Sequence, residues 1–128
     1  MSSFTPRRAH IGYAALLLFG ACGDPFSPLV PKGAFPFDPP AQYAPYWQHM
    51  EDCLQVTGDL SRVKWFRVPG STFDCPNGGR CDGLWVRPHT IYLAYQRMND
   101  SLLVEHEMLH DLLQRGDHPA TFQTCGVP

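Results

Sequence analysis

Seven of the chain's thirteen prolines fall between Asp24 and Pro45: Pro25, Pro28, Pro31, Pro36, Pro39, Pro40 and Pro45. Proline fixes φ and removes a backbone donor, so this stretch is expected in neither a helix nor a central strand. It reads as an extended tether over 22–45, with Phe26, Leu29, Phe35 and Phe37 able to pack part of it along a domain. Folding is thereby confined to 46–128, and a 128-residue chain divided this way has room for one core rather than two. The 16 aromatic residues supply that core. A formal net charge of −2 gives no basic field, which argues against a nucleic-acid partner.

Ahead of the tether, Arg7 and Arg8 precede an apolar run from Ile11 to Phe19, followed by Gly20, Ala21 and Cys22. A basic start, an apolar segment of roughly 7–15 residues and then small residues make a secretory signal. Leu18-Phe19-Gly20-Ala21-Cys22 resembles the bacterial lipobox, apart from Phe19 where a Leu is usual. The resemblance implies that 1–21 is removed, that Cys22 is lipidated and becomes the mature N-terminus, and that the protein is held on the exported face of a cell or outer membrane. No apolar run reaches the ~18 residues of a membrane-spanning helix, so acyl chains would be the anchor. Removal of 1–21 leaves 107 residues with a net charge of −4.

Within the domain, Tyr43, Tyr46, Trp47, Met50 and Leu54 follow helical spacing toward Gly58. Val63–Val68 alternates and stops at Pro69-Gly70; Leu84–Arg87 and Thr90–Tyr95 are two further β-rich runs. Asn99-Asp100-Ser101 offers capping side chains for a helix from Ser101 to Arg115, with Gly116 to end it and Pro119 to prevent its return. The order helix, strand, strand, strand, helix predicts a small α+β domain.

Cys53, Cys75, Cys81 and Cys125 remain after Cys22, an even number in an exported domain, and so predict two disulfides. Four cysteines allow three connectivities. Cys75-Pro-Asn-Gly-Gly-Arg-Cys81 is built to close a short loop, which would leave Cys53 with Cys125. A zinc on four thiolates lacks the short paired spacing such sites use.

The chemistry lies in His106-Glu107-Met108-Leu109-His110. Residues four apart share a helix face, so both imidazoles can reach one ion. Glu107 points about 100° away from His106, where a general base for an attacking water belongs. A random chain with this His and Glu content would hold the pattern roughly 0.7% of the time. Leu102, His106, Leu109 and Leu113 cluster on one side of the helix, with His110 and Leu103 at its edge. Val104, Met108 and Leu112 form a second stripe opposite, so the helix is expected to lie sandwiched in the fold. Buried histidines beside a buried glutamate need polar partners, and a metal supplies them.

This segment resembles the HExxH motif of zincin metallopeptidases, and the resemblance extends over roughly Leu84 to Pro119. It implies a catalytic Zn²⁺ with three protein ligands and one open position. His106 and His110 are two of the ligands, and His118, brought back by the break at Gly116, is the best candidate for the third. Metzincins place their third His six residues beyond the second; here the separation is eight, and the looser similarity to SprT-like and other short zincins fits better. Asp117 and Asp111 are fallback ligands, and Asp111 could instead accept a ligand imidazole's other N–H. Zincins also bind substrate as an added strand at a sheet edge beside the cleft, a part that Thr90–Tyr95 could play. His10 leaves with the signal, while His49 and His89 are expected to be surface or structural.

The expected protein is a lipid-anchored zinc metallopeptidase acting on peptides or proteins in the cell envelope, with Glu107 as its base. The alternative is a non-catalytic zinc-binding envelope lipoprotein, and a third possibility is a disulfide-bonded module whose HExxH is incidental.

Overall fold

The computed structural model describes residues 30–128, so the expected signal and the expected lipidation site, Cys22, lie outside the described residues. The described chain is an α+β domain. A four-stranded sheet runs in the order β1 (Phe35–Pro36), β2 (Lys64–Val68), β6 (Thr90–Ala94), β5 (Gly83–Val86). β2 and β6 are parallel, with Trp65 opposite Ile91, while β1 and β5 run antiparallel to their neighbours. A two-stranded hairpin, β3 (Phe73–Asp74) with β4 (Arg80–Cys81), stands beside it. Helices α1 (Tyr43–Leu54), α2 (Ser101–Leu113) and the single turn α3 (Thr121–Thr124) complete the unit.

Period-two alternation sorts the side chains of the central strands between two cores. Trp65, Ile91 and Leu93 face α1 and α2, meeting Tyr43, Trp47, Met50, Val104, Met108, Leu109 and Phe122 in the larger cluster. Val68, Tyr92 and Ala94 face the other way, onto Phe73 of the hairpin. Fully burying a side chain such as Leu109 contributes about 1.5–3 kcal/mol, so the larger cluster dominates stability.

Several expectations change in detail. The packed unit takes in residues that the sequence assigned to the tether: Phe35-Pro36 pairs with β2, and Tyr43 is fully buried. Pro45 does join a helix, because it occupies the first turn of α1, where no backbone donor is required. Pro36 sits in an edge strand, the place in a sheet where proline is tolerated. Thr90–Ala94 is not an edge strand, since β2 and β5 flank it; the edge beside α2 is β5. Nor does Gly116 end α2. Gln114 does so, in the left-handed conformation at φ 54°, with its side-chain amide donating to the Pro88 and Asp111 carbonyls. Asp100 caps the other end of α2, accepting from the Leu103 N–H at 3.3 Å.

Both expected disulfides are present. Cys75–Cys81 closes the hairpin, and Cys53–Cys125 ties α1 to the C-terminal segment across a separation of 72 residues. Chain-entropy arguments assign about 2 kcal/mol to the short loop and about 4 kcal/mol to the long one. Such bonds suggest an oxidising, exported environment. Among the described residues no helix is long and apolar enough to cross a membrane.

Candidate metal centre

Helix α2 carries His106 and His110 on one face, and its early end at Gln114 lets the chain double back. Arg115 fixes this return: its backbone N–H bonds to the His110 carbonyl at 3.3 Å, and its guanidinium grips the Asp117 carboxylate with two bonds of 2.5 Å. His118 follows. Its Nε2 lies 3.0 Å from His106 Nε2, which in turn lies 3.2 Å from His110 Nε2. One ligand atom from each of the three falls within 4.8 Å of the others. The structure thus brings together the three histidines expected from the sequence.

Protonation decides what these nitrogens can do. His106 Nδ1 faces the backbone oxygen of Pro128, and His110 Nδ1 faces that of Arg115 at 2.8 Å. A backbone oxygen only accepts, so each Nδ1 carries the proton and each Nε2 presents a lone pair. Lone pairs about 3 Å apart repel unless a cation lies among them. Two nitrogens held 2.0–2.1 Å from a tetrahedral zinc are about 3.3 Å apart, close to the spacing seen here. The three histidines could hold a metal ion, and the donor set fits zinc.

Glu107 takes a different position. It is 4% exposed, and its Oε2 is buried without a hydrogen-bond partner among the described residues. Gly83 makes room for it: a Cβ there would fall 2.5 Å from Glu107 Oε1. A cleft of about 540 Å³ opens beside Glu107 and His106, walled by Gly83, Leu102, Leu103 and Arg97. Leu102, expected in the sandwiched face of α2, is half-exposed on this wall. His106 is only partly buried, whereas His110 is buried.

The fallback ligands are engaged elsewhere. Asp111 is buried and accepts from Trp85 Nε1 at 2.8 Å and from His89 Nδ1 at 3.0 Å, so it meets neither the ion site nor a ligand imidazole. Asp117 is committed to Arg115. His49, exposed, pairs with the buried Glu105 at 2.9 Å. Sequence reasoning missed Trp85 and Gly83, whose roles come from β5 lying against α2. Trp85 also stacks on His110, with ring centroids 6.1 Å apart. A glycine opening β5 was the one available signal.

Burial, reinforced by the neighbouring His110, pushes His106 from 6.5 down to about 4, and burial also lowers His110. A depressed imidazole stays neutral, and available to a metal, until the pH falls through its lowered value. A metal ion held there should therefore be retained to lower pH than by three ordinary histidines, and be released as the pH falls toward the lowered value of His106. Equilibrium dialysis between neutral pH and pH 4 checks this; release as complete at pH 6 as at pH 4 would contradict it. Burial acts on Glu107 in the opposite sense, raising it from 4.5 to about 8. A cation at the histidines would oppose that rise and favour the carboxylate.

No protein-family model, curated protein or solved structure matches this chain.

Proposed function

We propose that this domain is a zinc-dependent peptidase of the zincin type, held in the cell envelope by a lipid on Cys22. The observation that carries the reading is a division of labour on one helix. One ligand nitrogen from each of three histidines lies within 4.8 Å of the others, while the carboxyl between the two on α2 stays out of the cluster with its Oε2 buried and without a partner among the described residues. A structural zinc site has no use for such a carboxyl; a hydrolase does.

Under this reading His106, His110 and His118 hold the ion. When bound, zinc would polarise a scissile carbonyl and acidify a water molecule. Glu107 performs the proton transfers: its carboxylate accepts a proton from the attacking water and passes it to the nitrogen of the departing amine. Its Oε2, buried without a partner among the described residues, is the oxygen left for this work. β5, rather than Thr90–Ala94, is the edge available to pair with an extended substrate, and it runs directly past Glu107 through Gly83.

The deciding experiment loads the purified protein with zinc and follows cleavage of an unfolded polypeptide. Hydrolysis that a chelator abolishes and zinc restores supports the proposal. Full zinc loading with no cleavage of any peptide in a mixed library would favour the non-catalytic zinc lipoprotein.

The anchor has its own test. Mass spectrometry of membrane-extracted protein should find a lipid-modified Cys22 at the mature N-terminus, and Cys22→Ser should release the protein from the membrane fraction. An unmodified mature end at another residue would overturn the anchor without touching the peptidase reading.

A further inference from the structure

Against the three histidines lies a segment that contributes no ligand yet touches all of them. Phe122, 1% exposed, sits with its ring centroid 4.9 Å from that of His106, 4.7 Å from His110 and 5.0 Å from His118. Six residues on, the Pro128 backbone oxygen accepts the Nδ1–H of His106. The path between them is fixed at each step. Cys125 N–H bonds to the Thr121 carbonyl at 2.9 Å, and Gly126, at φ +77°, turns the chain. Val127 is buried, with its N–H on the Phe122 carbonyl at 3.0 Å.

This run of seven residues has few elements of its own to hold it. α3 is a single turn, and the sheet does not include the segment. Besides packing of Phe122, Cys125 and Val127 into the larger core, its one covalent attachment to another element is the Cys53–Cys125 disulfide, which fastens it to α1. α1 packs directly on α2, the helix that carries His106 and His110. The covalent link thereby closes a frame: α2 to α1 by packing, α1 to Cys125 by the disulfide, and Phe122 and Pro128 back onto the imidazoles of α2.

We propose that Phe122–Pro128, pinned by the Cys53–Cys125 disulfide, is the positioning element of the metal centre and sets its affinity for the ion. The inference rests on the reading of the three histidines as metal ligands. Its physical basis is pre-organisation. Phe122 limits the rotation of three rings at once, and the Pro128 oxygen fixes the tautomer that turns the His106 Nε2 lone pair inward. With the segment unpinned, His106 Nδ1 would exchange that acceptor for water and the rings would gain rotational freedom, which the metal must then remove on binding.

Zinc affinity is the readout, measured on the full mature chain by competition with a chromophoric chelator. The variant Cys53→Ala/Cys125→Ala should bind zinc about 10–100-fold more weakly, the usual cost of losing partners of the ligands. With cobalt as probe, its visible absorption spectrum should also shift from that of the parent, a change that lower stability alone does not cause. Cys75→Ala/Cys81→Ala serves as the control. It removes a disulfide that touches no ligand histidine, and should leave affinity and spectrum unchanged. Should the first variant fail to fold, Gly126→Ala decides. A Cβ there meets no neighbour within 4 Å but opposes the positive φ that brings Pro128 to His106. It should weaken zinc binding at least several-fold while both disulfides stay intact.

Parent-like affinity and cobalt spectrum in either folded variant would overturn the positioning role and leave the metal site standing. A parent chain that binds neither zinc nor cobalt would remove the metal reading itself, and this proposal with it.

Discussion

Glu107→Gln is expected to keep about one zinc per chain and lose peptide hydrolysis by a factor of about 10²–10⁴, the range a positioned general base contributes. The substitution preserves shape and removes basicity. It should also be tolerated by the fold, because burial already favours the uncharged form of this side chain, and Gly83 leaves space beside Oε1. Zinc content by atomic emission, thermal unfolding and cleavage rate, measured on the same preparation, separate the three quantities. A variant that hydrolyses peptides as fast as the parent would end the assignment of Glu107 as base. Loss of zinc in this variant would make Glu107 a ligand instead.

The second large effect is expected from the histidines. His106→Ala and His110→Ala should each weaken zinc binding by more than about 100-fold, since whole zinc sites bind with roughly 10–16 kcal/mol shared among a few ligands. Zinc should accordingly stop raising the melting temperature of these variants, because a ligand stabilises only the state that binds it. His110→Ala should also lower stability without metal, since His110 is buried and bonded to the Arg115 carbonyl that holds the returning chain. His118→Ala should lose affinity less steeply. Its ring lies on an exposed turn, and water can fill the vacated position. Equal zinc affinity in the parent and the His110 variant would exclude this cluster as the site.

How these residues come together was partly written in the chain. His106, Glu107 and His110 needed only helical geometry, because a spacing of four is set by local backbone structure. The two disulfides followed from the short glycine-containing loop between Cys75 and Cys81, which left a single remaining pair. The longer β-rich runs became β2, β5 and β6, since their β-branched and aromatic content and, in Val63–Val68, the alternation are local signals of a strand. The two-residue strands β1, β3 and β4 escaped notice, being too short to carry a period.

Everything that depends on which elements become neighbours lay beyond the sequence. The order β1-β2-β6-β5 made Thr90–Ala94 central and gave the edge to β5, a choice fixed by parallel pairing between strands more than twenty residues apart. That choice set Gly83 and Trp85 against Glu107, and sent Asp111 to Trp85 and His89 rather than to the ion site. Prolines misled for a related reason. Whether a missing donor matters depends on position within an element, so Pro45 enters the first turn of α1 and Pro36 an edge strand without cost. By itself the sequence determined the helix that carries His106, Glu107 and His110, the oxidised cysteines and the α+β class, all consequences of local periodicity and composition. Only the tertiary structure decided what surrounds that helix: the cleft wall, the return of His118, and Phe122 and Pro128 against the imidazoles. Those are contacts between distant segments, and packing, not local propensity, selects them.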